Sequence, residues 1–189
     1  MSLDKVHALF NHPGLRAAWA KARVLVALAF AAALLWFMDP RWLLAGFLVS
    51  MAGEFIQLWC FASLNKQVDL ACNGLYTVVR NPMYLGRFFI LLGAVMLLGN
   101  VWIMLAYVVV YYFYMVNRVK REEARLRVAL GAPYADYCEK VNPFLPTRRY
   151  PGSTLLYWNW KLLNQNHGWA NLAGTLAFWI AAAAIAWWP

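Results

Sequence analysis

MYLGRFFILLGAVMLLGNVWIMLAYVVVYYFYMVN, residues 83–117, is the apolar run that decides the fold. As a single helix its 35 residues would extend roughly 52 Å. The hydrocarbon core of a bilayer is only about 30 Å thick, so one straight helix does not fit. Gly99 and Asn100 form a turn signal near the middle of the run. The run therefore predicts two short membrane helices that fold back on each other as a tight hairpin.

The composition also indicates a membrane protein. Of the 189 residues, 63% are hydrophobic and 13% are charged, whereas soluble domains have roughly 45–50% apolar and 25% charged residues. We expect an all-α, polytopic transmembrane bundle of about five spans, with a helix and a loop capping its cytoplasmic end. Besides the hairpin, the apolar runs at 24–38, 42–62 and 169–188 predict spans, residues 118–131 predict a helix leaving the membrane, and residues 153–163 predict an interfacial helix.

The net charge of +9 favours contact with anionic lipid over nucleic acid in a chain this apolar. Nine of the Lys and Arg residues lie in 118–161, which the positive-inside rule assigns to the cytoplasm. We therefore expect a multi-pass integral membrane protein whose functional site faces the cytoplasm. The chain divides into N-terminal spans (1–72), a core (73–146) and a last segment (147–189), all within one membrane domain (1–189).

Several common catalytic signatures are missing from the sequence. It contains no G-x-G-x-x-G, no H-E-x-x-H and no G-x-S-x-G, the motifs of Rossmann nucleotide sites, zinc peptidases and serine hydrolases. Cys60, Cys72 and Cys138 have no C-x-x-C spacing, which argues against a zinc site or a disulfide framework. We expect no metal ligands.

Two polar clusters stand at the open ends of the predicted hairpin. One runs from Asn73 to Arg87, and the other comprises Arg118, Glu122 and Glu123. Because the two arms have similar lengths, their open ends should lie at the same depth and form one composite site. Either cluster alone would be explained by lipid headgroup anchoring or by a solvated helix face. Carboxylates facing guanidinium groups could instead bind a zwitterionic ligand at both ends.

The motifs in these clusters resemble those of the integral-membrane methyltransferases of the isoprenylcysteine carboxyl methyltransferase and phospholipid methyltransferase group. The resemblance extends over residues 73–146, and its second half follows the hairpin at the expected separation. It implies an enzyme that binds S-adenosyl-L-methionine near the cytosolic face and methylates a lipophilic acceptor from the bilayer. The matching elements are Gly74-x-Tyr76, Arg80-Asn81-Pro82-x-Tyr84-x-Gly86, and Glu122-Glu123-x-x-Leu126-x-x-x-x-Gly131-x-x-Tyr134-x-x-Tyr137.

The same resemblance assigns roles to individual residues. Arg118 would face the anionic group of the acceptor, and Arg118 and Asn81 would be the catalytic pair. The residues expected around the cofactor are Asn73, Gly74, Leu75, Tyr76, Arg80, Asn81, Tyr84, Gly86, Arg87, Phe88, Glu122 and Glu123.

Asn81 departs from the family pattern, which usually has Arg-His-Pro at this point. Asparagine can donate and accept hydrogen bonds but cannot take up a proton at neutral pH. An acceptor that is already nucleophilic, such as a carboxylate, would need no general base. Carboxyl O-methylation is therefore favoured, while a lipid amine or a thiol remains open.

Glu54 and Gln57 form a second polar feature, on one face of the second predicted span. Polar groups at such depth are either functional or paired with one another. The functional interpretation places both residues along the path of the acceptor. The structural interpretation has Glu54 hydrogen-bonded to Gln57 or to a neighbouring helix. Lys66 is a weaker candidate for contact with the cofactor carboxylate.

Two other functions fit parts of the sequence. One is an NADPH-dependent membrane reductase of the sterol-reductase type, although adjacent glutamates are poor partners for a 2′-phosphate, which favours arginine. The other is a non-enzymatic scaffold or transporter subunit in which Glu54 and Gln57 line a pathway. The interpretation that accounts for most residues is a methyltransferase acting on a lipophilic acceptor.

Overall fold

A computed structural model describes residues 3–65 and 70–187 of the chain. Lys66 and Trp188, which figure in the sequence analysis, lie outside the described residues. Within them the chain forms α-helices joined by short 3₁₀ turns and irregular segments, with no strand. The helices are α1 (Leu3–Asn11), α2 (Pro13–Trp36), α3 (Leu43–Ser63), α4 (Pro82–Met96), α5 (Val101–Leu130), α6 (Ala132–Lys140), α7 (Trp160–Gln165) and α8 (Gly168–Ala186).

The predicted hairpin is formed by α4 and α5. Gly99 lies in the left-handed region with φ of 60°, which glycine adopts without steric cost. The side chain of Asn100 caps α5 by accepting hydrogen bonds from the backbone N–H of Trp102 at 2.9 Å and of Ile103 at 3.3 Å. The backbone N–H of Asp39 donates to Leu97 O at 2.6 Å. The turn before α3 therefore packs directly on the hairpin turn.

Helices α3 and α4 approach each other at backbone contact. A Cβ atom built on Gly46 would lie 2.5 Å from Gly93 O, and one on Gly53 would lie 2.6 Å from Gly86 O. Between these crossings the Ser50 hydroxyl donates to Ile90 O at 2.7 Å. Small residues allow such close packing in membranes, where association depends on van der Waals contact and interhelical hydrogen bonds. This interface fixes the position of the first arm of the hairpin.

The second arm of the hairpin continues beyond the apolar run as a polar helical segment. Helix α5 has 30 residues, a length of about 45 Å, so its polar C-terminal part projects beyond the hydrocarbon core. Its last residue, Leu130, is followed by the C-cap Gly131, whose φ is 60°. The predicted helix leaving the membrane over 118–131 is therefore confirmed as the last part of α5.

The predicted interfacial helix over 153–163 is shorter than expected, because α7 comprises only Trp160–Gln165. Asn159 caps it by accepting hydrogen bonds from the backbone N–H of Lys161 and Leu162. The residues before this cap pair with other segments instead: Thr154 O accepts from Gly74 N at 2.8 Å, and Asn159 N donates to Ala62 O at 3.1 Å. Those hydrogen bonds replace the ones that a longer helix would make.

The fold class predicted from composition is confirmed as a helical membrane bundle. Among the described residues, three helical stretches are long and apolar enough to cross a bilayer: Pro40–Ser63, Val101–Leu130 and Gly168–Ala186. Helix α4 is apolar but has 15 residues, about 22 Å. Helix α2 covers the predicted first span, and its apolar side chains are largely exposed, as at Leu25 (73%). The total of five spans stays a prediction.

The close approach of α3 and α4 predicts that two Gly→Ala substitutions have different effects on the stability of the protein. Gly93→Ala places a methyl group against the backbone of Gly46 and should destabilise the protein by about 1–3 kcal/mol. Gly174→Ala on α8 meets nothing within 4 Å and should be neutral or slightly stabilising, because alanine favours helices. Thermal unfolding in detergent measures both. Equal shifts for the two variants would contradict the packing.

Candidate active site

The two polar clusters at the open ends of the hairpin meet in the structure. Arg80 Nε donates to Glu123 Oε1 at 3.1 Å, and Asn81 Nδ2 donates to the same oxygen at 3.1 Å. The side chains of this ion pair are only 9% and 15% exposed. The ion pair is therefore largely shielded from bulk solvent. Its charges are screened less by water and salt than those of an ion pair on an open surface.

Tyr84 connects the neighbouring carboxylate to the same cluster. Its hydroxyl donates to Glu122 Oε2 at 2.6 Å and lies near the Arg118 guanidinium. Arg118 and Glu122 are four residues apart on α5, the spacing that puts side chains on one helix face. The Tyr111 hydroxyl donates to Tyr84 O at 2.6 Å, which ties this part of α4 to α5. Arg80, Asn81, Tyr84, Arg118, Glu122 and Glu123 thus form one group, termed here the carboxylate cluster.

The loop that precedes α4, residues 73–81, is called here the motif loop. An irregular segment, residues 141–159, covers this loop and is called the strap. Backbone hydrogen bonds join the strap to the loop at both of its ends and in its middle, so the loop has defined partners although it has little regular structure. They run from Gly74 N to Thr154 O (2.8 Å), Arg80 N to Asn142 O (3.0 Å), Asn81 N to Pro143 O (3.2 Å), Thr147 N to Val78 O (2.9 Å) and Tyr150 N to Thr77 O (2.9 Å).

Buried tyrosines fasten α6 to the same loop. The Tyr137 hydroxyl donates to Tyr76 O at 2.5 Å, and both rings are buried. Burial raises the pKa of Tyr76 and of Tyr137, so both phenols stay neutral and serve as hydrogen-bonding and packing groups. Arg80 also donates to Cys138 O at 2.6 Å. The guanidinium of Arg80 therefore links α6 with Glu123 on α5.

The remaining residues predicted for the cofactor occupy different surroundings. Asn73 accepts a hydrogen bond from Thr154 N at 2.9 Å and so supports the strap. Gly74 has φ of +64° and adjoins Ser63, and Leu75 follows it in the 3₁₀ turn Gly74–Thr77. These residues shape the loop beside the carboxylate cluster.

Gly86, Arg87 and Phe88 lie one turn further along α4. Gly86 packs against Gly53 and the Gln57 side chain, where a Cβ atom would not fit without displacement. Phe88 stacks on Tyr107 with ring centroids 5.6 Å apart. Both therefore serve helix packing in the structure, whereas Arg87 is exposed and lies over the Tyr84 ring.

Glu54 is 1% exposed and bonded to the last helix. It accepts from Asn171 Nδ2 at 2.8 and 2.9 Å and from the Thr175 hydroxyl at 2.8 Å. Of the alternatives left open by the sequence, the structure therefore has Glu54 bonded to a neighbouring helix and not to Gln57. With its amide oriented to satisfy both groups, Gln57 donates to Met83 O at 2.9 Å and accepts from Arg87 Nε at 3.2 Å.

Sequence reasoning missed the contact between the N-terminal helix and α5. Asn117 is buried at 3% exposure and meets His7 Nδ1 at 2.9 Å. Asn11 Nδ2 donates to Asn117 Oδ1 at 2.9 Å. These contacts place α1 beside the residue that precedes Arg118. Asn117 is a lone polar residue at the end of the apolar run, which indicated that its side chain has a hydrogen-bonding partner. The sequence did not identify that partner.

The family comparisons bear on the same segment of the chain. Residues 56–132 match the family model of phospholipid methyltransferases, a stretch that includes the end of α3, the motif loop and the whole hairpin. This segment is thus similar in sequence to that family. The resemblance stated from the motifs is therefore confirmed, and the match covers every member of the carboxylate cluster.

A named relative supports the enzyme class. The chain is 38% identical over 95 residues to a protein-S-isoprenylcysteine O-methyltransferase of Schizosaccharomyces pombe. The aligned region is 50% of this chain and 40% of the relative, so the chain spans less than half of that protein's length. No solved structure matches the chain. Both matches are to methyltransferases, as expected from the motifs.

The anchoring of the motif loop gives the second prediction. Tyr137→Phe removes the donor to the buried Tyr76 carbonyl, and leaving that group unsatisfied should cost about 1–3 kcal/mol. Thermal unfolding and the rate of proteolysis in the strap measure the effect. Tyr112→Phe, at a residue 54% exposed on α5, is the matched control and should change neither quantity. Equal behaviour of the two variants would show that the hydroxyl does not hold the loop.

Proposed function

We propose that the chain is a methyltransferase that uses S-adenosyl-L-methionine to methylate a lipophilic acceptor at the cytoplasmic face of a membrane. The observation that carries this proposal is the carboxylate cluster, in which Glu122 and Glu123 of α5 meet Arg80, Asn81 and Tyr84 from the other arm of the hairpin. The family match over residues 56–132 supports the enzyme class.

The chemistry of the cluster fits the proposed cofactor. Glu122 and Glu123 are acceptors for an ammonium group or for ribose hydroxyls, and Arg80 is a donor for a carboxylate. Both signs of charge are thus held within one partly shielded group. When bound, S-adenosyl-L-methionine would supply a methyl group that its sulfonium activates for transfer to an acceptor lone pair, with the C–S bonding electrons going to sulfur. The chain's own contribution is to bind and align the reactants.

Asn81 makes a carboxylate the favoured acceptor. Its amide donates to Glu123 and cannot remove a proton. The described histidines lie elsewhere: His7 on α1, His12 at the N-cap of α2 and His167 before α8. A carboxylate of pKa about 4 is ionised at neutral pH and attacks without losing a proton, so its negative charge and the sulfonium charge are both neutralised. Amine or thiol acceptors would need a proton acceptor that Asn81 does not provide.

The acceptor is proposed to be a lipid or a lipidated molecule, resembling the isoprenylcysteine named for the fission-yeast relative. Arg118, near the Tyr84 hydroxyl, is well placed to face the anionic group of such a molecule. The concentration of Lys and Arg in 118–161 supports a cytoplasmic orientation of this end of the bundle.

The alternatives drawn from the sequence receive less support. A transporter subunit would use Glu54 in a pathway, but Glu54 is bonded to Asn171 and Thr175 within the bundle. A nicotinamide-dependent reductase would require a cationic site for the 2′-phosphate, whereas the hairpin presents adjacent carboxylates. Neither alternative accounts for the family match.

A binding experiment gives the third prediction. In Glu122→Gln, the carboxylate charge is removed with little change of shape, and the affinity for S-adenosyl-L-homocysteine should fall roughly 10-fold or more. Glu139→Gln makes the same change at an exposed residue of α6 and should retain the wild-type affinity. Isothermal titration calorimetry in detergent measures all three proteins. No binding by the wild type, or unchanged binding by Glu122→Gln, would overturn the proposal.

The absence of a titrating base at residue 81 gives the fourth prediction. With a prenylated cysteine that bears a free carboxylate, kcat/KM should be independent of pH between about 6 and 8, because an Asn side chain and an ionised carboxylate do not titrate there. Asn81→His should introduce a pH dependence with a midpoint near 6.5. A wild-type profile that already titrates in this range would contradict a base-free mechanism.

A further inference from the structure

Arg87 is a cation on an otherwise apolar part of α4. It follows Asn81 by six residues, about 9 Å along the helix axis toward the hairpin turn, and its side chain is exposed. Arginine inside a membrane segment is unfavourable and usually marks a ligand or an ion pathway.

Neutral groups fix the orientation of Arg87. Gln57 of α3, itself only 1% exposed, accepts from Arg87 Nε at 3.2 Å and is anchored through its own donor to Met83 O at 2.9 Å. The Tyr84 ring centroid lies 5.8 Å from Arg87 Cζ, within the range of a cation–π contact. A headgroup anchor would need only a long, mobile side chain. A buried amide that holds Nε instead indicates a guanidinium kept in one orientation.

The charge of Arg87 is not matched by a carboxylate in the described part of the chain. The ion pairs formed there are Arg41–Asp39, Arg80–Glu123 and Lys140–Asp136. Arg87 Nη2 also lies 3.5 Å from the Met83 sulfur, but a thioether sulfur is only a weak hydrogen-bond acceptor. The terminal nitrogens are therefore available for an oxyanion, which a guanidinium binds in a bidentate manner.

The position of Arg87 relates this site to the carboxylate cluster. Tyr84 lies between two arginines: Arg87 lies over its ring, and Arg118 lies near its hydroxyl. An anion at Arg87 would therefore lie beside the residue that contacts Glu122. The neighbouring apolar surface of α4 would contact a hydrocarbon chain at the same depth. These features describe a lipid with a negatively charged oxygen group.

We propose that Arg87, oriented by Gln57, binds the anionic group of the lipophilic acceptor alongside Arg118, instead of contacting the cofactor as the motif resemblance implied, and selects acceptors that carry such a group. This assignment rests on the proposed function, because it concerns the second substrate of the same site. It makes Gln57 a positioning residue and Arg87 a specificity-determining one. A carboxylate on a prenylated cysteine and the phosphate of a phospholipid share the required chemistry.

Direct binding to the detergent-solubilised full chain tests this assignment without requiring turnover. Two pairs of probes distinguish the sources of the anion: a prenylated cysteine and its methyl ester, and a short-chain phosphatidylglycerol and the matching diacylglycerol. The wild type should bind the anionic member of one pair at least 10-fold more tightly than the neutral member. Arg87→Gln should remove most of this preference.

Two further variants separate orientation from charge. Arg87→Lys keeps the charge but loses the planar fork, and Gln57→Leu keeps Arg87 but removes its support, so each should reduce the preference severalfold. Arg127→Lys, at an exposed residue of α5, is the matched control and should leave it unchanged. Thermal unfolding verifies that each variant is folded, and S-adenosyl-L-homocysteine binding within twofold of wild type shows that the cofactor site persists.

The outcomes are distinct from those that test the proposed function. If Arg87→Gln loses the wild-type preference for the anionic member of either probe pair, the assignment is supported, and that pair identifies the source of the anion. If the wild type shows no preference in either pair, or if Arg87→Gln retains it, the assignment is overturned and Arg87 is a headgroup anchor. Failure of the wild type to bind S-adenosyl-L-homocysteine would count against the proposed function alone, since lipid binding is measured separately.

Discussion

The ion pair between Arg80 and Glu123 joins residues 43 positions apart in the sequence, and the candidate site depends on it. Only an intervening segment that reverses direction can bring these residues together, and the length of the apolar run relative to bilayer thickness requires that reversal. The same pair orients α6 through the Cys138 carbonyl. Arg80 thus connects the motif loop, α5 and α6 at one end of the bundle.

Close packing of α3 and α4 holds the first arm of the hairpin at the depth that this pairing needs. With Gly46 facing Gly93 and Gly53 facing Gly86, the two backbones touch, and Gln57 reaches the start of α4 at the Met83 carbonyl. In a membrane such contact replaces the hydrophobic driving force of water-soluble cores. The glycines therefore contribute to the site by positioning α4, although Gly86 itself lies in the helix interface.

The sequence was sufficient to predict the features that follow from length and local chemistry. The hairpin, its turn at Gly99 and Asn100, and the meeting of its polar ends came from the size of one apolar run and its flanking residues. The family motif added roles for Glu122 and Glu123. The contact between Glu54 and α8 was less accessible, although Asn171 and Thr175 stand four residues apart in an apolar helix and could have indicated a polar partner on that face.

The strap and the N-terminal contact could not be predicted for a different physical reason. The strap is held mainly by backbone hydrogen bonds, which any residue except proline can donate, so its sequence carries no distinctive pattern. Residues 153–159 have the amphipathic character of a helix but find partners in the motif loop and at the end of α3. Long-range pairing there outweighs local helix propensity.

A double-mutant cycle on Arg80→Gln and Glu123→Gln, read out as affinity for S-adenosyl-L-homocysteine, tests most directly whether the two arms of the hairpin build one cofactor site. If they do, the double variant will have about the same affinity for S-adenosyl-L-homocysteine as the single variant with the lower affinity, and the coupling energy will be about 1 kcal/mol or more. Additive effects of the two substitutions, or an affinity that neither alters, would contradict a shared site.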